Sequence, residues 1–417
     1  MTLFSNLNKY DRALLLLIVA LFSGNMGGLL LLPRTFSILF LHLLINTPSS
    51  EYSVRKPKSL LIVWMIWAFV SLVWTPDISE GFEQLIILLF NILYAFEILL
   101  FSIYSSVPLK IISYGWLTSL MLNNAVGLWE ILTDNHLSVS KYGSDHQLMV
   151  DGTYLFMRYA NGFFSNYNAF VTFICCALPF LYYLFKDTRN KIVKLTIIGN
   201  LLVSMFILFM NGSRGGVIAL AVISVVYMFR LVKAGNNKKL GLALFAILGA
   251  FLVYYWDTLS YIVIGRQLAI NSIEEEARYS VWTNCFKVLF DSFFLGTGVG
   301  GVIESMMRVA GPDAVLAPHN AFLEILVQYG ILVFSLFLLF IKDILVSTKQ
   351  NTDQSIKTIV YSSLLAMPFI FVINSMNLIN PYFWAFMVSL FVFAKLNNLV
   401  QTHPHLRAFV KGKNAFS

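Results

Sequence analysis

A chain of 417 residues that is 58% hydrophobic and only 12% charged, with a mean hydropathy of +0.75, is too apolar for an ordinary soluble domain, in which about 25% of residues are charged. The net charge of +8 would suit an acidic partner such as nucleic acid, but its distribution along the chain, given below, argues for an orientation signal instead. Three cysteines, two of them adjacent at Cys175 and Cys176 inside an apolar run, offer neither a disulfide framework nor metal-ligand spacing.

Apolar runs of about 20 residues recur, which predicts spanning helices rather than barrel strands. The first run, Lys9 to Phe22, has a basic flank and an apolar core but no convincing cleavage site after it, and reads as a spanning helix. Hydropathy and charge place helices near 12–26, 29–46, 59–75, 83–104, 109–132, 164–185, 195–211, 214–231, 240–256, 321–344, 358–376 and 380–396. The expectation is an all-α polytopic membrane protein with about twelve spans. Residues 1–417 read as a single membrane domain, with 257–320 as a large outer-face loop within it. With both termini inside, 21 of the 29 Lys and Arg residues fall in inner segments, seven in outer segments and Arg34 in a helix. That asymmetry is the positive-inside signal.

The outer face then carries four polar pieces: Thr75 to Glu80, Thr133 to Asn161, the turn Asn211-Gly212-Ser213-Arg214, and the long loop with Arg266, Arg278, the glycine cluster Gly296 to Gly301 and Ala317-Pro318-His319-Asn320. His319 precedes a helix running inward, so the positive end of that dipole favours a neutral ring able to accept a proton. A plain helix start with Asn320 as its cap explains the same residues. Arg214, among Gly212, Gly215 and Gly216 at another helix start, suits a phosphate, or it is an interfacial arginine snorkelling to water. Arg278 lies four residues after Glu274, the spacing of a surface pair. Together with Arg266 and Arg214 it also suits a diphosphate clamp. The glycine run lacks the strand and lysine of a nucleotide loop and reads as a flexible turn or backbone nest. His42, His136, His146, His403 and His405 read as structural. No HExxH, paired-cysteine or GxSxG motif is present, and neither a metal nor a cofactor is expected.

These pieces resemble the bacterial O-antigen ligase and polysaccharide polymerase superfamily of polytopic glycosyltransferases. The most specific match is His319-Asn320 followed after nine residues by Gly330, with Arg278-Tyr279-Ser280-Val281-Trp282 and the glycine cluster upstream. Ser71 to Asp77, Asn161 to Asn168 and Ser213-Arg214-Gly215-Gly216 match more weakly, and Val333 stands where many members similar to this chain carry a second glycine. The resemblance implies that His319 is the base activating an acceptor hydroxyl, and that Arg214 and Arg278, assisted by Arg266, hold the diphosphate of a polyprenyl-linked sugar donor. It implies an inverting transfer without a metal, at the periplasmic face of a bacterial inner membrane. Its partners would be lipid-linked glycan, membrane lipid and a chain-length regulator, not nucleic acid. A polymerase of O-antigen or capsule repeat units is the first expectation. A ligase joining the glycan to lipid A core is the second, and a polysaccharide flippase or transporter the third.

Overall fold

In the computed structural model, residues 7–28, 31–47, 55–140, 147–150, 153–156, 159–233, 266–311 and 317–402 are described. The helices are α1 (Lys9–Val19, continued by the 3-10 turn Ala20–Ser23), α2 (Leu32–Ile45), α3 (Arg55–Ser71), α4 (Ile78–Tyr104), α5 (Pro108–Thr133), α6 (Tyr167–Asp187), α7 (Lys191–Met210) and α8 (Arg214–Lys233). They continue as α9 (Arg266–Asp291), α10 (Val302–Ala310), α11 (Ala321–Gln350), α12 (Gln354–Ile370), the 3-10 turn Asn377–Ile379 and α13 (Pro381–Thr402). The one departure from an all-helical chain among the described residues is a hairpin of β1 (Gln147–Val150) and β2 (Thr153–Phe156), with Gln147 opposite Phe156. Four helices, α4, α6, α7 and α11, are long and apolar enough to cross a membrane; Leu32–Ile45, Pro57–Ser71 and Pro381–Lys395 are shorter apolar helices. The expected helix at 240–256 lies outside the described residues.

Local chemistry moves several expected boundaries. α1 starts at Lys9 because Asn8 and Asp11 close a capping box, Asn8 Oδ1 accepting from Asp11 N at 2.8 Å and Asp11 Oδ2 from Asn8 N at 3.0 Å. α12 starts at Gln354 under Asp353, whose Oδ1 accepts from Ser355 N at 2.7 Å. The segment read as the large outer-face loop, 257–320, contains two helices, α9 and α10.

Contacts between turns sort them into two ends of the bundle. At one end Asp11 accepts from Ser105 Oγ, Ser106 N and Ser106 Oγ, Lys110 pairs with Asp187 at 2.9 Å and Lys395 with Asp343 at 2.5 Å. At the other, Asn25 N donates to Phe163 O at 2.9 Å and Ala321 N to Phe371 O at 3.0 Å. Asn211 there exchanges two 2.8 Å bonds with the backbone of Ala160. Between the two ends the core is aromatic. Trp116 stacks on Phe180 at 5.4 Å, and Trp64 packs edge-on to Tyr329 at 5.5 Å and against Trp384 at 5.1 Å. Such ring pairs add contact energy where water exclusion between helices adds none.

α11 is not one straight helix. Gly330 has φ 72 and ψ −174, a conformation open almost only to glycine, and it divides α11 into 321–329 and 331–350. A break of this kind releases backbone groups that lipid cannot satisfy. The glycine cluster supplies the partners: Thr297 N donates to Val327 O at 2.8 Å, Gly298 N to Gln328 O at 3.0 Å, and Ile331 N returns a bond to Phe294 O at 2.9 Å. The cluster is therefore a fitted strap, closer to the backbone nest than to the flexible turn of the two readings its composition allows.

A Cβ on Gly330 would collide with the carbonyl oxygens of Phe294 and Leu295. Gly330→Ala is expected to lower the thermal midpoint in detergent, with about 1–3 kcal/mol from backbone strain alone and the collision in addition. Gly199→Ala, in open space within α7, should leave that midpoint unchanged or raise it.

Candidate functional site

His319 has φ 47, an uncommon conformation for a residue other than glycine. Its neighbours enforce it from three sides. Before it, Pro318 O accepts from Trp282 Nε1 of α9 at 3.0 Å. After it, Asn320 caps α11, its Oδ1 accepting from Phe322 N at 3.0 Å and Leu323 N at 3.2 Å. Then Ala321 N donates to Phe371 O at the end of α12. His319, half-buried, is the residue immediately before the Asn320 cap of α11.

That first turn is fixed from below by Glu324, a buried carboxylate that accepts from Asn377 N at 2.9 Å and Leu378 N at 3.3 Å. The same 3-10 turn takes Asn91 Nδ2 and Trp384 Nε1 on Leu378 O at 3.0 and 2.8 Å, and Arg34 Nη2 on Ile379 O at 2.8 Å. Arg34, the one cation assigned to neither the inner nor the outer segments, is engaged in this structural hub.

Arg214 opens α8 behind Ser213, whose Oγ accepts from Gly216 N at 3.4 Å. A Cβ on Gly215 would lie 2.7 Å from Ile373 Cγ1 and 3.2 Å from Phe369 O, so the start of α8 packs onto the end of α12. The turns that carry Arg214 and His319 therefore both contact the same short segment, 369–373, through Gly215 and Ala321. Arg278 lies on α9 one helical turn before Trp282, the residue that reaches Pro318. Arg266 begins the same helix, twelve residues away, about 18 Å along the axis. The side chains of Arg266 and Arg278 lie outside the described residues.

The weaker motifs are all fasteners at this end. Val299 N donates to Ser71 Oγ at 2.9 Å, Thr75 Oγ1 to Val299 O at 2.9 Å and Trp74 Nε1 to Gly296 O at 3.0 Å, tying the strap to the turn after α3. Gly298, at φ 85, lies too close to Ser71 O and Thr75 for any side chain. Asn161 N and Gly162 N donate to the buried carboxylate of Glu130 at 2.6 and 2.7 Å, beside His136 Nδ1 at 3.2 Å, so His136 is structural as expected. His42 is exposed, with Nδ1 against Leu39 O, while His146, His403 and His405 lie outside the described residues. Burial pushes the Cys285 thiol of α9 up to about 12, which removes it as a nucleophile.

The class defined so far is a polytopic helical membrane protein in which the Arg214 and His319 turns both contact the end of α12. The model of the family described as O-Antigen ligase matches residues 199–338, a span that holds Arg214, Arg266, Arg278, the strap, His319 and Gly330. The teichuronic acid biosynthesis protein TuaE of Bacillus subtilis (strain 168) is 24% identical over 285 residues, covering 65% of this chain and 56% of that protein. The two matches support the O-antigen ligase and polysaccharide polymerase superfamily that the His319 to Gly330 signature resembles.

Two residues at the site escaped the sequence pattern. Glu324 carried a legible signal, an acid inside an apolar run. Trp282 did not, because an indole donor shows its partner only in three dimensions. Glu324→Ala would leave two buried amides unpaired at about 1–3 kcal/mol each. It should lower the thermal midpoint well below that of Glu324→Gln, which keeps an acceptor oxygen.

Proposed function

We propose that this chain is a metal-independent, inverting glycosyltransferase that polymerises polyprenyl-diphosphate-linked oligosaccharide repeat units at the outer face of a bacterial inner membrane. Residues 1–417 form one domain of about twelve spans in this reading, with 257–320 as the periplasmic elaboration. The observation that carries it is the convergence of the Arg214 turn and the His319 turn on 369–373, with Trp282 of α9 bonded to the peptide before His319.

The chemistry follows from those groups. The His319 ring takes the proton of an acceptor hydroxyl while that oxygen attacks the anomeric carbon from the face opposite the leaving group, inverting the centre. The bond from the anomeric carbon to the diphosphate oxygen breaks, and the lipid diphosphate departs with the extra negative charge. Guanidinium groups match those oxygens. Arg214 and Arg278 take this role, and Arg266, about 18 Å along α9 from Arg278, is at most an outlying contact.

The family description favours a second reading, ligation of the glycan to lipid A core. The relative named for teichuronic acid biosynthesis supports polysaccharide biosynthesis in general. A transporter is favoured less. Transporters use interrupted helices to present freed backbone to substrate, but the carbonyls freed at Gly330 are already occupied by the strap.

Purified protein supplied with lipid-linked donor should lengthen glycan on donor alone, and His319→Ala should lower that rate about 10²–10⁴-fold at unchanged thermal midpoint. Product that forms only when core acceptor is added would select the ligase. Wild-type chain growth by His319→Ala would refute the base assignment.

A further inference from the structure

α9 divides into three faces. Val281, Cys285, Val288 and Leu289 are buried, three of them packing with Val302, Met306, Leu323 and Val327. Ser280, Thr283, Lys287 and Asp291 lie on a second, exposed and polar face. The third is aromatic. At 3.6 residues per turn, Tyr279, Trp282, Phe286 and Phe290 fall within an arc of about 80°, and Phe293 follows just past the end of α9. They are nevertheless exposed, Tyr279 by 76%, Phe290 by 61% and Phe293 by 85%. An exposed aromatic row of this length on a helix end marks a surface that meets something apolar.

What it meets is indicated by where α9 ends. Phe294 O accepts from Ile331 N, which sets the end of the row beside the exposed Ile331 and Leu332 of α11. The level is given by two helices that share both ends. Ala321 N bonds Phe371 O at one end, and Asn351 to Asp353 connect them at the other. α12 has 17 residues, about 25 Å of rise, and the 331–350 part of α11 is about 30 Å long, a full hydrocarbon thickness by itself. The 321–329 part therefore adds its length sideways, and Gly330, the strap and Phe294 stand at the outer hydrocarbon boundary. Aromatic rings concentrate at that depth.

We infer that α9 is an interfacial helix whose Tyr279, Trp282, Phe286 and Phe290 face, with Phe293 just past its end, is seated in the outer leaflet of the bilayer, with its polar face in water and its third face on α10 and α11. The helix lies in the plane of the headgroups, as amphipathic helices with aromatic faces do. Trp282, on the lipid-facing row, also holds Pro318, so the leaflet surface and the His319 turn are two contacts of one helix. This rests on the membrane reading of the chain and not on His319 as a base, and its test needs no turnover.

Nitroxide labels at Phe286→Cys, Phe290→Cys and Phe293→Cys, compared with Thr283→Cys, Lys287→Cys and Asp291→Cys, report the surroundings in nanodiscs of phosphatidylethanolamine and phosphatidylglycerol. The native Cys175, Cys176 and Cys285 are buried, and labelling of the unsubstituted protein sets the background. The aromatic positions should collide severalfold more with oxygen than with a water-soluble nickel chelate, and the polar positions should show the reverse. Nickel access at the aromatic positions equal to that at the polar ones would overturn the proposal. So would shielding of the aromatic positions from both reagents, which would mean that another part of the chain or a second copy covers them. Either result would leave the His319 reading to its own assay.

Discussion

The end of this protein that carries His319 depends on one backbone exchange, the bonds across the break at Gly330. A transmembrane helix satisfies its own polar groups; an interrupted one does not. Here the carbonyls of Val327 and Gln328 are met by the amides of Thr297 and Gly298, and the amide of Ile331 by Phe294 O. The opposite edge of the same strap is held by Ser71, Trp74 and Thr75. Segments more than two hundred residues apart in sequence are thereby locked at one level, and the His319 turn is built on top of them. A second anchoring point, the Glu324 carboxylate on the Asn377–Ile379 turn, keeps that platform from rotating.

The His319 to Gly330 spacing acquires a physical meaning from this. The histidine ends the loop, nine residues of helix follow, and the glycine allows the chain to turn into its crossing direction while admitting the strap. The distance between the two residues is the length of the piece 321–329, which carries the ring at one end and the break at the other. α11 starts at a capped Asn320 beside the end of α12, the segment that Gly215 at the start of α8 also meets.

Much of this was legible in the chain. The apolar runs located helices close to most of those observed, since hydropathy over about 20 residues is a strong signal, and the cap at Asn320 was legible from residue type alone. The glycine cluster left a flexible turn and a backbone nest both open, because a run of glycines looks the same whether it moves freely or fits closely against Thr75 and Gly330. Glu324 is visible as an acid inside an apolar run, but its role and that of Glu130 were not, because their partners are backbone amides of distant turns. Arg34 stood out as an intramembrane cation, yet its bonds to Gly28 O and Ile379 O give it a structural task.

The Gly330 exchange also has a bearing on biogenesis. The strap and the turn after α3 are synthesised before α11, so the receptor for the break exists when the break emerges from the ribosome. Until residues 294–298 engage, the open carbonyls of Val327 and Gln328 make the kinked form costly in lipid, and the nascent segment is held either straight or outside the hydrocarbon. Acquisition of the bend is thus a late maturation event. A chain inserted with the right number of crossings but an undocked strap would be a membrane-integrated yet immature species, distinguishable from the finished protein by protease access near residues 294–298.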